Sequence, residues 1–388
     1  MVTSQIKPSF MQSGGREKKT YEIFLIGDTG NVARHGSDPV LETMRLHFDK
    51  GQHSAVIFLG DNIYPKGLPP EGAILRKDAE NALIAHKEAL KDYHGKVLFI
   101  SGNHDWNKGR EGGYDYIIRQ EKYLEKLFGK TVMYPTKGCP GPTEINVNPN
   151  VTLVLINTQW WLQPGFRPIG QECGCRVESE EEFFKHLINI LESNKGKRII
   201  IAGHAPVYSY AIHGGRYKLR HHLFPFTIYH RKAYFPLPVL GSLLPIYRKY
   251  FGAKEDIAHP RYRHLRKRLI EIFKSYPGII YASGHEHNLQ HISKDQNHFI
   301  VSGAGSKLKY VLQTGKNLKF GMKAKGFFKL RFENEGSVHI SAWVIDANDK
   351  KGKMVYEYKI DYGIMTRSAL GIHSIAIFLT LPRTSPSI

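Results

Sequence analysis

The sequence predicts an α/β fold, because short apolar runs alternate along it with segments of helical periodicity. Five of the runs are rich in β-branched and aromatic side chains and end at a glycine. Continuous runs of this kind are typical of strands that are buried on both faces. The chain has 388 residues, 41% of them hydrophobic, and can therefore bury a sizeable core.

The predicted strands are followed by residues that can bind a metal ion. The runs cover residues 23–26, 56–59, 97–100, 199–202 and 279–282. After each run and its glycine comes one of Asp28, Asp61, Asn103, His204 and His285. Ligands collect at the carboxyl ends of strands in α/β sheets, and glycine lets the backbone turn sharply there. If the strands share a sheet region, these oxygen and imidazole groups converge on a site suited to iron, zinc or manganese.

Three segments between the strands have the periodicity of helices. Apolar residues recur at spacings of three and four over 73–93, 179–196 and 261–276. The second segment opens with Ser179 and Glu182, which form a capping box, and the third stops at Pro277 and Gly278. We expect all three helices to act as scaffold.

One catalytic domain over residues 20–345 is the simplest division of the chain, because no repeat and no low-complexity linker interrupts it. A flexible N-terminal segment, 1–19, would precede it, and a C-terminal tail, 346–388, would follow. The first 20 residues contain no apolar run that resembles a signal peptide. In the tail, the apolar run 372–381 is about half of the roughly 20 residues that a membrane-spanning helix needs. We expect it to be buried or loosely packed.

The chain is strongly basic, with a net charge of +20, which favours phosphate-bearing or otherwise acidic partners. Basic and aromatic residues concentrate in an insertion over 213–260, and the basic run continues to 268. Glu255 and Asp256 are the only acidic residues in this stretch. Such a long connection is usually a lid or a binding loop. The default interpretation is a solvated charged face, and the alternative is contact with an anionic membrane surface. Nucleic acid is a weaker prediction, because no recognised nucleic-acid module accompanies the charge.

The cysteines Cys139, Cys173 and Cys175 are too few for a disulfide framework, and their odd number leaves at least one thiol unpaired. Two cysteines separated by one glycine make a poor zinc motif without a second pair. We interpret Cys173 and Cys175 as loop cysteines, and the cellular compartment stays open.

The strand ends, taken in chain order, resemble a known family. They read Gly27-Asp28, Gly60-Asp61-Asn62-Ile63-Tyr64, Gly102-Asn103-His104-Asp105, Gly203-His204 and Gly284-His285-Glu286-His287. This series resembles the calcineurin-like metallophosphoesterases over about residues 20 to 345. Most members have a histidine where this chain has Gly30. Purple acid phosphatases lack it and have a tyrosine three residues after the bridging aspartate, which matches Tyr64. The chain resembles a bacterial-type branch of these enzymes, because Thr29 and Glu286 depart from the plant and mammalian pattern.

The resemblance implies a four-layer α/β/β/α sandwich of two mixed sheets, with a dinuclear metal site at the carboxyl ends of the strands. Site one would consist of Asp28, Tyr64 and His287, and site two of Asn103, His204 and His285, with Asp61 bridging them. A phenolate forms readily on a strongly acidic cation, which favours Fe(III) at site one. The less charged site two suits Zn(II), Fe(II) or Mn(II).

The activity implied by the resemblance is hydrolysis of phosphate monoesters by attack of a metal-bound hydroxide, with inversion at phosphorus. His104 would bind the phosphoryl group and protonate the leaving alkoxide. The alternative is that it only orients Asn103. Asp105 would in turn orient His104, and His213 would contact the substrate.

Two other functions are considered. A phosphodiesterase acting on nucleotides or phospholipids would use the same metal centre. A membrane-associated binding module with a vestigial metal site would have kept the fold without the chemistry. Related phosphatases commonly work outside the cytoplasm, so the resemblance implies an extracytoplasmic or membrane-peripheral location.

Overall fold

The computed structural model describes residues 20–31, 38–48, 53–230, 232–333 and 336–362. Strands in the first half of the described chain are β1 (Tyr21–Ile26), β2 (Ser54–Phe58), β3 (Lys96–Phe99), β4 (Thr143–Asn148), β5 (Val151–Leu155) and β6 (Arg198–Ala202). Those in the second half are β7 (Ile280–Ser283), β8 (Leu289–Lys294), β9 (Asn297–Ser302), β10 (Leu318–Met322), β11 (Gly326–Phe332), β12 (Val338–Val344) and β13 (Lys353–Ile360).

The helices connect the strands and carry the predicted scaffold segments. They are α1 (Pro39–Arg45), α2 (Arg76–Ala89), α3 (Gly113–Phe128), α4 (Thr158–Leu162), α5 (Glu180–Ser193), α6 (Leu219–Leu223), α7 (Leu243–Tyr250) and α8 (Pro260–Ser275). The hydroxyl of Ser179 accepts the backbone N–H of Glu182 at 3.1 Å and caps α5, as the sequence predicts. Helices α2, α5 and α8 lie within the three predicted segments or one residue outside them.

The strands form two mixed sheets. One has the order β13-β12-β11-β1-β2-β3, and the other has the order β10-β8-β9-β7-β6-β5-β4. In the first sheet β1, β2 and β3 are parallel to one another. In the second sheet β5, β6, β7 and β9 are parallel.

The core has three parts, which define four layers. Ile23 and Leu25 of β1 belong to a buried cluster with residues of the second sheet, so the two sheets pack face to face. Phe24, between them in sequence, belongs to a second cluster with residues of α1, α2 and α3. Residues of α5 and α8 cover the outer face of the other sheet. The alternation along β1 follows from the two-residue period of a strand. The predicted four-layer sandwich of two mixed sheets is confirmed.

The first sheet extends past the predicted domain boundary at residue 345. β13 pairs antiparallel with β12, from Val338 opposite Ile360 to Val344 opposite Lys353. Residues up to 360 therefore belong to the folded unit, while the predicted N-terminal segment 1–19 and the apolar run 372–381 lie outside the described residues. Among the described residues, no helix is both long enough and apolar enough to cross a membrane.

The cysteines divide into a pair and a single thiol. Cys139 and Cys175 form a disulfide with an S–S distance of 2.02 Å across 36 residues. Cys173 is the unpaired thiol that the odd number requires.

Candidate metal centre

The five predicted strand ends meet at one place, although they come from two sheets. β1, β2 and β3 belong to the first sheet, and β6 and β7 belong to the second. One ligand atom each of Asp28, Asp61 and His204 lies within 4.8 Å of the others, and all three residues are buried. The strand ends converge because the two sheets pack face to face, and not because all five strands share one sheet region.

Two glycines are required by the close approach of these loops. A Cβ on Gly102 would lie 2.3 Å from Oδ1 of Asp61. A Cβ on Gly30 would lie 2.4 Å from the backbone nitrogen of Ile63. The histidine that related proteins have at the position of Gly30 would therefore not fit in this loop.

Three of the predicted ligands have a left-handed backbone conformation, which non-glycine residues rarely adopt. The φ angles are 59° at Asp28, 54° at Asp61 and 69° at His285. Such strain costs about 1–3 kcal/mol for each residue and is concentrated at functional sites. Side-chain hydrogen bonds hold these loops: Asp28 accepts the N–H of His285 at 2.8 Å, and Asp61 accepts that of His104 at 2.8 Å.

Three acceptors meet at the predicted site two. Nδ1 of His204 donates to the carbonyl of Leu59 at 2.8 Å, which leaves a lone pair on Nε2. Nε2 of His285 donates to the carbonyl of Glu255 at 2.7 Å, which leaves a lone pair on Nδ1. Oδ1 of Asn103 lies 3.0 Å from that Nε2 and 3.1 Å from that Nδ1. Three converging acceptors without a proton fit a cation.

The charges around site two agree with a bound cation. Burial, with His213 and His204 close by, holds the pKa of His285 well below its usual range, so the ring stays neutral. Burial lowers the pKa of His204, but the Asp61 and Asp28 carboxylates outweigh it and raise the pKa overall. The negative field that would draw a proton to His204 would equally draw a metal ion.

Site one is built around the phenol of Tyr64. Its hydroxyl lies 2.9 Å from Oδ1 of Asp28, 3.1 Å from Oδ2 of Asp61 and 3.2 Å from Nε2 of His287. The phenol proton is thus placed between two carboxylates, with an imidazole nitrogen beside it. Burial and the two carboxylates raise the pKa of Tyr64 well above its usual range. Ionisation of the phenol therefore requires a cation at the same place, and the donor set fits one.

His104 lies at the wall of the site. Its Nδ1 contacts the carbonyl of Pro65 at 2.6 Å, and its Nε2 lies 3.9 Å from Oδ2 of Asp61. Its side chain is 13% exposed, so it can be reached from the cavity. Its ring packs edge-on against Tyr64, with centroids 4.3 Å apart.

Asp105 does not orient His104 as the sequence analysis expected. Its carboxylate accepts N–H groups of Gly102, Asn62 and Ile63, and no hydrogen bond to His104 occurs among the described residues. Burial and the charge of Asp61 raise the pKa of Asp105 to about 7, while the amide donors act in the opposite direction. The Asp105 carboxylate is occupied by these backbone N–H groups and faces the loops at Gly102 and Asn62. Asp105 ties together the loops that carry Asp61 and Asn103.

His213 lies at the site, beside a predicted ligand. Its ring centroid is 4.6 Å from that of His285. Its Nδ1 lies 3.0 Å from Oδ1 of Asp256, which also binds Arg248 at 2.5 Å. The ring of His213 is buried and is held by its contact with Asp256, and it also lines the cavity above the site.

A cavity of about 700 Å³ opens above the two sites, and the insertion forms much of its wall. Its lining includes Lys108, Lys307 and Lys309, which sequence reasoning missed. Nζ of Lys307 lies 3.3 Å from the ring centroid of Tyr64. Lys307 and Lys309 follow β9 and Gly303, a sixth strand end with glycine that could have indicated them. Glu255 also lines the cavity, although the sequence distinguishes it only as one of two acidic residues in the basic stretch.

Comparisons with known proteins agree with this geometry. A family model described as calcineurin-like phosphoesterase matches residues 21–289. A comparison with curated proteins gave no match.

Three solved structures are similar in fold. One is GAP50, described as the anchor in the inner membrane complex of Plasmodium, with a TM-score of 0.57 at 16% identity, covering 88% of this chain and 89% of that one. The purple acid phosphatase PPD1 from yellow lupin seeds has a TM-score of 0.53 at 14% identity, covering 88% and 54%. PhoD has a TM-score of 0.52 at 11% identity, covering 89% and 73%.

Proposed function

Because this chain belongs to the calcineurin-like phosphoesterase family, we propose that it hydrolyses phosphate monoesters at a dinuclear metal centre of the purple acid phosphatase type. The observation that carries the proposal is the convergence of Asn103 Oδ1, His204 Nε2 and His285 Nδ1, all three of which are acceptors when the two rings are neutral. They lie beside the phenol and carboxylates of site one. A phosphodiesterase with the same centre is the alternative within the family.

The proposed centre has two unequal sites. Asp28, Tyr64 and His287 would hold Fe(III), and the three acceptors of site two would hold Zn(II), Fe(II) or Mn(II). Asp61 is suited to bridge them, because Oδ2 is 3.1 Å from the Tyr64 hydroxyl and Oδ1 is 3.5 Å from Nε2 of His204. When bound, two cations neutralise phosphoryl oxygens and acidify a water molecule.

His104 is proposed as the group that protonates the leaving oxygen. Its Nδ1–H donates to the Pro65 carbonyl, and this bond fixes the ring with Nε2 on the side of Asp61. Protonated His104 can therefore donate from Nε2 to an ester oxygen held at the centre. His213, which also lines the cavity, is proposed to contact the substrate, and the lysines of the cavity favour an anionic ligand.

Metal analysis of the purified protein tests the centre directly. We expect two metal ions per chain, with turnover that requires them, and Asp61→Asn should lose both. A protein that binds two metals and hydrolyses neither a monoester nor a diester would favour a binding module. Faster hydrolysis of a diester than of a monoester at every pH would overturn the monoesterase proposal.

The Tyr64 ligand has its own spectroscopic test. A phenolate bound to Fe(III) gives a charge-transfer band in the visible spectrum, so we expect the iron-loaded protein to be coloured. Tyr64→Phe should lose the band and keep the fold, because only the hydroxyl is removed. A colourless unsubstituted protein with full iron occupancy would exclude the phenolate.

We further propose that the insertion binds an anionic membrane surface. Many apolar side chains of residues 213–260 are exposed to solvent. Their exposed fractions include those of Leu219 (75%), Phe235 (61%), Val239 (86%), Leu240 (64%), Leu243 (62%) and Phe251 (63%). Such a patch marks an interaction surface. Lys218, Lys232 and Lys249 are exposed among these residues. Apolar side chains with interspersed cations favour an anionic lipid interface.

Vesicle co-sedimentation tests the membrane proposal. We expect binding to vesicles that contain phosphatidylserine and little binding to neutral ones. Replacing Val239, Leu240 and Leu243 by serine should weaken binding at least about tenfold, since each buried apolar side chain contributes about 1.5–3 kcal/mol. The control variant Ile74→Ser lacks an apolar side chain that is 97% exposed and lies outside the insertion. This variant should bind the vesicles as the unsubstituted protein does. Equal loss in both variants, or none, would overturn the proposal.

An extracytoplasmic location is also proposed. Disulfides persist in oxidising compartments and are rare in the cytosol, and Cys139 is paired with Cys175. Mass spectrometry after alkylation of the native protein should find only Cys173 modified. Alkylation of all three cysteines would show that Cys139 and Cys175 are not paired and would remove the support for an extracytoplasmic location.

A further inference from the structure

Glu255 of the insertion makes two hydrogen bonds at the proposed second metal site. Its backbone carbonyl accepts Nε2–H of His285 at 2.7 Å, and its carboxylate accepts Nδ2–H of Asn103 at 3.3 Å. Both partners are proposed ligands of site two. Glu255 lies between α7 and α8 and belongs to neither of the sheets that carry those ligands.

These two bonds decide which atom each ligand presents to the centre. An imidazole that donates from Nε2 keeps its lone pair on Nδ1, and Nδ1 of His285 is the nitrogen 3.2 Å from Nε2 of His204. An amide that donates from Nδ2 presents its oxygen on the other side, and Oδ1 of Asn103 faces the same two rings. Hydrogen bonds of this kind orient metal ligands and raise their affinity.

Glu255 is itself held by a buried ion pair within the insertion. The carboxylate of the next residue, Asp256, binds Arg248 at 2.9 and 2.5 Å, His213 at 3.0 Å and the N–H of Ala253 at 2.8 Å. Burial raises the pKa of Asp256, but Arg248 and His213 outweigh it and lower the pKa to about 2. The loop is therefore clamped from both sides of Glu255.

Direct ligation by the Glu255 carboxylate does not fit this arrangement. Its Oε1 lies on the Nδ2 side of Asn103, whereas the three acceptors of site two converge on the Oδ1 side. The carboxylate therefore accepts the amide N–H of Asn103 and does not face the point where the three acceptors converge.

We infer that Glu255 is a positioning residue for the second metal site, so that the insertion sets the metal affinity of that site. The inference rests on the proposed dinuclear centre. It also gives the insertion a role at the centre besides that of a cavity wall.

Equilibrium dialysis of the iron-loaded protein against Zn(II), with both metals counted per chain, tests the inference without relying on turnover. Glu255→Ala should weaken binding of the second equivalent, Zn(II), by about 10- to 100-fold and leave the bound iron unchanged. Glu255→Gln should bind nearly as the unsubstituted protein does, because its amide oxygen can accept the same bond. Glu71→Ala removes an exposed glutamate elsewhere and serves as the matched control.

The outcomes separate this inference from the function on which it rests. Unchanged affinity for the second equivalent in Glu255→Ala would overturn the inference and leave the dinuclear centre intact. Fewer than two equivalents in the unsubstituted protein would instead overturn the centre. If Glu255→Ala does not fold, Asp256→Asn, which weakens the clamp, should show the same selective loss, and normal binding there would refute the inference.

Discussion

Replacement of Asp105 should destabilise the protein and disorganise the metal centre, because its carboxylate accepts four donors in a fully buried position. Oδ1 accepts the N–H groups of Asn62 at 3.0 Å and Ile63 at 3.2 Å. Oδ2 accepts the N–H of Gly102 at 2.8 Å and the side-chain amide of Asn62 at 3.1 Å. A buried donor left unpaired costs about 1–3 kcal/mol, so Asp105→Ala should lose at least about 4 kcal/mol of unfolding free energy.

The isosteric variant Asp105→Asn refines this prediction. Its single oxygen can serve one pair of donors, while its NH₂ group would face the other pair, so about 2 kcal/mol should be lost. Urea unfolding of the metal-free variants, followed by circular dichroism, measures both values, and dialysis measures the metal retained. If Asp105→Ala stays within about 1 kcal/mol of the unsubstituted protein while turnover falls, our reasoning is refuted and the original prediction that Asp105 acts through His104 stands.

Three further predictions concern separate parts of the molecule. His104→Ala should lower turnover of a substrate with a poor leaving group by about 10²- to 10⁴-fold with both metals bound, and an unchanged rate would exclude the acid role. Cys139→Ser or Cys175→Ser opens a 36-residue loop and should cost about 4 kcal/mol in urea unfolding, whereas the Cys173→Ser control should cost little. Burial lowers the pKa of His86 from 6.5 to about 4, so the stability that depends on the neutral ring is fully present above pH 6.5 and is lost as the pH falls. About 3 kcal/mol of unfolding free energy should be lost between pH 7 and pH 4, and the His86→Phe variant should not show this loss. The same pH dependence in both proteins would contradict the assignment of the loss to His86.

Most of the fold and the proposed ligand set could be predicted from the sequence because their signals are local. A buried strand needs a continuous apolar run, and a ligand-bearing turn needs a glycine, so β1, β2, β3, β6 and β7 are visible as short patterns. The helix capped by Ser179 is visible for the same reason. Gly30 and Tyr64 could be interpreted together only through the resemblance to purple acid phosphatases, which implies that the missing histidine and the tyrosine occur together.

The contacts between distant segments could not be predicted in this way. Asp105 was expected to act on its sequence neighbour, but its partners are Gly102 and the loop at Asn62 and Ile63. The pairing of Cys139 with Cys175, and not with another cysteine, depends on where two loops meet. Lone residues such as these have no periodicity or spacing from which a partner could be inferred.

The sequence by itself determined the α/β class, the strand ends and the types of residue that follow them, since these depend on hydrophobic periodicity and turn chemistry within a few residues. The four layers were implied by the family resemblance, and only the tertiary structure decided that the proposed ligands come from two facing sheets. It alone revealed that Glu255 of the insertion fixes the orientation of Asn103 and His285. Hydrogen bonds of this kind depend on distances in space, and Asn103 and Glu255, which are 152 positions apart, become neighbours only when the chain has folded.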